Sequence, residues 1–466
     1  MSRERLVVVG ADAGGMTAAS QARRRRAADS LEIIAVDRGR HASYSACGIP
    51  YWIGGLVGSV DDLITRSVAE FRKQDIEVRL RQEAVGLDLD AGVVAVHDLD
   101  GGGKYTLGFD QLVLGTGAVP VRPDIAGIDA PGVYGVQTLD DGEAVRAAVA
   151  RDGAECAVVV GGGYIGLEMA EALAERGLDV TVVEAASQPM STLDPDVGAL
   201  VADAVRNLGI TLHTDEQVTE IRTGSDGEAT GVVTARREIA ADLVVLGLGV
   251  RPNTALARDA GIKIGVTGGI VTDMRMRTAS HRNVWAAGDC VQTVNRVSET
   301  PVHVALGTHA NKQGRVAGIN IGGGYATFSG VVGTAVTRVC NLEVARTGLR
   351  ETEAEQAGLR FVSTLTESTT RAGYFPGTRP ITIKIVAEKR SGRLLGAQIV
   401  GREGAAKRID VLATAIWNGM TVEEISGLDL SYAPPFAPVW DPVLIAARKS
   451  WDAVEMDVRT DYTPQP

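Results

Sequence analysis

The stretch "CAVVVGGGYIGLEMAEALAERGLDVTVVEAA", beginning at Cys156, limits the fold more than any other part of the chain. A valine-rich run stops at Gly161, and Gly161, Gly163 and Gly166 fit the spacing G-x-G-x-x-G. An amphipathic helix pattern follows, and then a β-branched run ending in Glu184, 18 residues past Gly166. That order predicts a βαβ unit whose helix N-terminus can hold a pyrophosphate through free N–H groups and the helix dipole. Glu184 can accept hydrogen bonds from a ribose. No arginine follows in "AASQPM" to hold a 2′-phosphate, so NADH is expected over NADPH, with NADPH still open.

A looser version of the same unit starts the chain, "RLVVVGADAGGMTAASQARRRR". Its turn runs from Gly10 through Ala13 and Gly14 to Gly15, with Asp12 where a middle glycine is usual. The next strand, "LEIIAVD", ends in Asp37, 22 residues past Gly15, where an acid can meet an adenosine ribose. Two later segments read as returns to this first sheet: "QLVLGTGAVP", with Gly115, Thr116 and Gly117, and "RNVWAAGDC", with Asp289 placed for a ribityl hydroxyl. At 466 residues there is room for about three domains. Fifty-six glycines against 4% aromatics suit an α/β protein with several tight phosphate-binding turns.

The net charge of −11 argues against nucleic acid or an anionic membrane as the main partner, the run Arg23–Arg26 being a local exception. No apolar run approaches the roughly 18 residues of a membrane helix, and "MSRERLVVVGADAGG" reads as a strand and not a signal peptide. Four scattered cysteines form no disulfide framework, which predicts a reducing cytoplasm. One of them, Cys47 in "SYSACGIPYW", lies about ten residues past the second strand.

With two fingerprints in this order, the chain resembles the flavoprotein disulfide reductases with two dinucleotide-binding domains, from Leu6 to about Lys449. The resemblance implies an α/β fold: a Rossmann-like FAD domain, a Rossmann-like NAD domain and a C-terminal α+β dimerisation domain. The single Cys47, in place of a pair, is similar to the branch containing coenzyme A-disulfide reductases, NADH oxidases, NADH peroxidases and polysulfide reductases. Electrons would pass from NAD(P)H through FAD to Cys47, oxidised as a mixed disulfide, a persulfide or a sulfenic acid. A thiolate there is expected to need a lowered pKa, with helix N-termini as the source. The resemblance also adds Ala305, Ile165 and Gly249 to the cofactor contacts. Tyr164 would gate the flavin and Glu168 would hold the carboxamide.

Peroxidases of the branch carry a histidine where this chain has Ala13, which disfavours peroxide chemistry. "STTRAGYFPGTRP" and "LDLSYAPPFAPVWDPVLIAARK" resemble segments whose tyrosines reach across a dimer to a leaving coenzyme A sulfur, here Tyr374 and Tyr432. Gln21 and Arg24, three apart on one helix face, match positions that meet coenzyme A, as do Ser43 and Lys73. Arg25 and Arg26 are expected to be a solvated helix end. Ala46 departs from the usual asparagine, leaving room for polysulfide, persulfide or another small disulfide. An NADH oxidase reducing oxygen and a non-catalytic FAD/NADH sensor or electron-transfer partner are the alternatives.

The expected organisation is an FAD-binding segment at 1–150, an NAD(P)H domain at 151–275 and an FAD return at 276–325. A dimerisation domain at 326–446 and a loose tail at 447–466 complete it. Within the third domain "ITIKIVAEK" and "RLLGAQIVG" predict a hairpin about Ser391-Gly392, with a helix near 405–419. "ALGTHANKQGRVAGINI" predicts a helix whose N-terminus points at the flavin pyrimidine.

Overall fold

The computed structural model describes residues 3–461. Valine- and leucine-rich runs flanked by glycine turns form parallel strands buried on both faces. In the first sheet the strand order is Val284–Ala286, Gln111–Leu114, Glu4–Val9, Leu31–Asp37 and Glu77–Leu80. The second sheet repeats it: Val133–Gly135, Leu243–Leu246, Cys156–Val160, Asp179–Val183 and Thr211–His213, again all parallel. In each, the strand before the glycine turn is central, and a late return strand pairs on its far side.

The turns themselves are built alike. Gly10 and Gly161 have φ of +105° and +101°, and a Cβ on either would strike the carbonyl oxygen of Gly115 at 2.0 Å or of Gly247 at 2.6 Å. The last glycine lets the helix close on the strand, since a Cβ at Gly15 or Gly166 would lie 2.0 or 1.9 Å from the oxygen of Gly10 or Gly161. The middle position differs in kind. Asp12 is extended, at φ −118° and ψ −158°, a conformation open to any residue, so the turn forms without its second glycine.

The sheet pairing moves one expected boundary. Val133–Gly135 lies before residue 151 yet is hydrogen-bonded into the second sheet, so the second unit takes up chain assigned to the first. A three-residue strand is too short to show a period of two, which is why the sequence pattern does not mark it.

The C-terminal unit is a five-stranded antiparallel sheet ordered Ala335–Val339, Leu342–Gly348, Leu394–Gly401, Pro380–Glu388 and Phe361–Thr369. The hairpin about Ser391-Gly392 forms, and the helix Ile409–Trp417 falls within the predicted span. The expected break at 447 is absent, because one helix runs Pro442–Asp461 and buries Ser450 and Val454. Its apolar residues at helical spacing carry it onto the sheet, and the rest of the tail, 462–466, lies outside the described residues. Among the described residues no helix is long and apolar enough to cross a membrane.

The predicted helix at Gly307–Ile321 packs along Ala13–Arg23 through small residues. A Cβ at Gly314 or Gly318 would meet the oxygen of Gly14 at 2.2 Å or of Ala18 at 2.3 Å. That contact brings the N-terminal ends of both helices to the same cavity.

Candidate functional site

A cavity of about 560 Å³ opens at the C-terminal edge of the first sheet. Such edges, where the chain direction diverges to either side, are the usual binding crevices of open α/β sheets. Of the residues singled out from sequence, Ala13, Gly14, Gln21, Arg24, Ser43, Cys47, Gly115, Gly117, Ile165, Asp289 and Ala305 line it.

Cys47 is held by a short loop rather than a long helix. The Ser43 backbone, at φ +49°, donates to the Ala11 oxygen at 2.9 Å and accepts from Thr65 at 2.8 Å, while Ser45 donates to Leu63 at 2.8 Å. A Cβ at Gly48 would lie 2.3 Å from a Leu63 methyl, so this residue lets the loop close on Leu63. The helix Ile49–Gly54 then buries Ile49, Trp52 and Ile53 in the cluster that contains Leu167, Met169 and Leu173 of the second unit. Cys47 is thus fixed between the two dinucleotide folds, with its side chain exposed to the cavity.

The electrostatics at Cys47 contradict the expected lowering. Desolvation, and then the carboxylates of Glu168, Asp289 and Asp12, push the thiol above its ordinary value. Glu168 is no helix-surface glutamate. It is partly buried, and its Oε1 accepts the Thr337 hydroxyl of the C-terminal sheet at 2.6 Å. Burial, with Glu171 nearby, raises its own pKa. Removing this charge by Glu168→Gln should move the midpoint of Cys47 alkylation by iodoacetamide to lower pH, because the neighbouring anion that disfavours the thiolate is gone. An unchanged or higher midpoint contradicts the assignment.

The acids at the strand ends do the same structural task in both units. Asp37 accepts the amides of Ala11 and Gly39, each at 2.7 Å. Glu184 accepts those of Gly162 at 2.5 Å and Ala186 at 2.7 Å. Each carboxylate braces its glycine turn and keeps lone pairs for a further donor. Gly249, at φ +80°, leads into the strand that brings Val250 to the cavity.

Several expected site residues stand elsewhere. Thr116 spends its hydroxyl on the Asn253 oxygen at 2.6 Å and does not line the cavity. Tyr164 is set back with its hydroxyl against Thr192, and Ile165 instead touches the cavity. Lys73 caps the helix Val68–Arg72 on the exposed side. In its place Arg66 reaches the cavity, lying 5.0 Å over the Phe71 ring and donating to the Ser20 hydroxyl at 3.2 Å. Arg25 is exposed, as expected of a solvated helix end, and donates to Gln21 at 3.2 Å, whereas Arg26 is partly buried and pairs with Glu4.

Tyr374 and Tyr432 are brought together, though not at Cys47 of the same chain. A hydrogen bond between them raises the Tyr432 pKa. They are 78% and 46% exposed beside Phe436 and Trp440, an apolar surface on the C-terminal unit.

Sequence reasoning did not assign Thr17, Tyr44, Arg66, Phe71 or Asn311 to the cavity, and it noted Asp12 only as a departure. Thr17 donates to Asn311 at 2.7 Å across the two helices, a contact of partners 294 residues apart that no local pattern announces.

Two glycine turns of one design, each opening a helix, and a single thiol in the crevice of the first define a redox protein that handles two dinucleotides. Residues 4–314 match the family model described as pyridine nucleotide-disulphide oxidoreductase, and residues 334–442 match its dimerisation domain. The chain belongs to this family, which is FAD-dependent and uses NAD(P)H. It is 36% identical over 450 residues to an NAD(P)H sulfur oxidoreductase (CoA-dependent) of Pyrococcus furiosus, covering 96% of this chain and 99% of that one. A NAD-dependent persulfide reductase from A. fulgidus superposes with a TM-score of 0.93 at 40% identity, covering 97% of this chain and 84% of that one. Reduced CoADR-RHD of Bacillus anthracis gives 0.94 at 33%, with 98% and 81% covered.

The residues present fit a flavin dinucleotide. Gly117 and Gly307 leave open space where a side chain would intrude, and the glycine turn frees the N-terminus of Ala13–Arg23. The helix Gly307–Ile321 presents Gly307, Ala310 and Asn311 at its N-terminal end.

Proposed function

We propose that the chain reduces coenzyme A disulfide, or a coenzyme A-linked persulfide or polysulfide, with Cys47 as the sulfur that takes the electrons. The observation that carries this reading is the placement of one exposed thiol in the crevice that Gln21, Arg24 and Arg66 also line. The guanidinium of Arg66, braced on Phe71, suits phosphate, and Arg24 adds a second cation at the cavity rim.

Ala13, Gly14, Gly115, Gly117, Asp289 and Ala305 would hold the flavin dinucleotide. When bound, it supplies two-electron transfer between a nicotinamide and a sulfur. The turn at Gly161–Gly166 and Glu184 would hold NADH, with the carboxylate turning away a 2′-phosphate. Glu168 would orient the carboxamide, steadied by Thr337. Tyr374 and Tyr432 would act from the partner of a homodimer, their exposed apolar surroundings buried in the interface, and would steady the departing thiolate.

Ala13 supplies no proton to a sulfenic acid, which argues against peroxide as the acceptor. An acceptor panel tests the proposal. With NADH, coenzyme A disulfide or coenzyme A persulfide should support turnover at least about tenfold faster than oxygen alone, a margin that equals about 1.4 kcal/mol of transition-state preference. Vigorous oxygen consumption with no gain from either sulfur acceptor would overturn it.

A further inference from the structure

Asp12 stands where the first glycine turn would ordinarily present no side chain, and it is partly buried in the wall of the Cys47 cavity. Although it is the N-cap residue of Ala13–Arg23, its side chain makes no capping hydrogen bond to that helix. Its Oδ1 accepts instead the amide of Tyr44 at 3.2 Å, at the start of the loop that carries Cys47. The carboxyl is therefore tied to the thiol's own loop and faces the same space. Neither bracing of the turn nor helix capping requires it, since Asp37 performs the first and the helix forms without the second.

We propose that Asp12 is the general acid of the Cys47 site, giving its proton to the sulfur that leaves when Cys47 attacks a disulfide. The inference rests on the reading of Cys47 as the reactive thiol. In the step, the Cys47 Sγ thiolate forms a bond to the nearer substrate sulfur and the substrate S–S bond breaks. The far sulfur departs with the electron pair and takes the proton from the Asp12 carboxyl. Asp12 is left as carboxylate and regains a proton from water. No net oxidation occurs: one thiolate, one disulfide and one proton become a mixed disulfide and a free thiol.

The surroundings suit this role. Burial, with the charges of Asp37 and Asp289, pushes the Asp12 carboxyl up to about 6, against the pull of the Tyr44 and Ala13 amides. An anion held at the same helix end acts in the same direction. Asp12 as carboxylate also disfavours the Cys47 thiolate. The site therefore prefers one negative charge on the pair, resting on Asp12 with Cys47 as the thiol, and attack draws on the form in which that proton has passed from Sγ to the Asp12 carboxyl, ready for the leaving sulfur.

Leaving-group dependence tests the proposal. Full-length protein, flavin-loaded and thiol-reduced, is mixed at neutral pH with hydroxyethyl disulfide, whose leaving thiolate is strongly basic, or with dithiodipyridine, whose leaving group needs no proton. Cys47 adducts are followed by mass. Asp12→Asn, which keeps an oxygen for the Tyr44 amide, should slow the first reaction by about 10²-fold relative to the second, which loses nothing because removal of the carboxylate can only favour the thiolate. Asp12→Ser, a second variant able to accept from Tyr44, should show the same split. Equal losses with both reagents would mark a structural role, and no loss with the aliphatic disulfide would mark none; either overturns the proposal. Failure of dithiodipyridine to modify Cys47 in the unaltered protein would instead overturn the reading of Cys47 on which it rests.

Discussion

Cys47→Ser should lower NADH-dependent disulfide reduction by about 10³-fold or more, the scale on which enzymes lose activity when a nucleophile is removed. A serine hydroxyl is close in size to the thiol but cannot form the mixed disulfide or persulfide that accepts the electrons. The side chain faces the cavity and its loop is held by backbone bonds of Ser43, Ser45 and Thr65, so the fold around it should persist. Flavin content and the rate of flavin bleaching by NADH should therefore stay near those of the unaltered protein. Stopped-flow absorbance separates that step from thiol release. Retained turnover with sulfur acceptors would remove Cys47 from the chemistry.

The second large effect is on stability. Lys384, in the strand Pro380–Glu388, has a side chain only 4% exposed and meets three carboxylates: Asp196 at 2.8 Å, Glu351 at 2.9 Å and Asp194 at 3.3 Å. Asp194 is itself wholly buried and accepts from Gln398 at 2.6 Å. Two of these acids belong to the second dinucleotide unit, so the cluster fastens the C-terminal sheet to it. Burial opposes the ammonium charge, yet the bonds to Asp196 and Glu351 and the charge of Asp194 outweigh it, and the Lys384 pKa ends above its ordinary 10.5. The stabilisation is therefore full at neutral pH and is lost only as pH rises through that elevated value. Lys384→Ala should cost about 3–5 kcal/mol, since it strands the buried Asp194 carboxylate without a counter-ion. Denaturant unfolding followed by tryptophan fluorescence reads this directly. A cost no larger than that of an exposed ion pair, about 0–1 kcal/mol, would show that the acids rearrange freely.

Much of the fold was legible because its strongest signals are local. Glycine spacing, the valine runs and the acids at the strand ends need only a few dozen residues of context, and they placed both parallel sheets. The hairpin at Ser391-Gly392 was legible for the same reason. What escaped was tertiary. Val133–Gly135 is a strand only because Leu243–Leu246 offers it an edge. The helix Pro442–Asp461 continues past Lys449 because the C-terminal sheet buries Ser450 and Val454.

The site shows the same division. Cys47 stood out by being single, and Gly115, Gly117 and Asp289 by following buried strands. No local pattern marks Arg66, because only the folded loop sets it on Phe71 and turns it toward Ser20. A lowered Cys47 pKa follows from helix N-termini alone, whereas desolvation in the fold, and then the carboxylates of Glu168 and Asp289, far away in sequence, act in the opposite direction. Asp12 was visible as a departure from the glycine pattern, but its tie to Tyr44 was not.

The central claim is that Cys47 alone carries the substrate sulfur. Incubating the reduced protein anaerobically with coenzyme A disulfide, then mapping the adduct by peptide mass, tests it most directly. The account predicts one coenzyme A adduct, on Cys47 and removable by a thiol reductant, with Cys156, Cys290 and Cys340 unmodified. An adduct on one of those three, or turnover with no adduct on any cysteine, would contradict it.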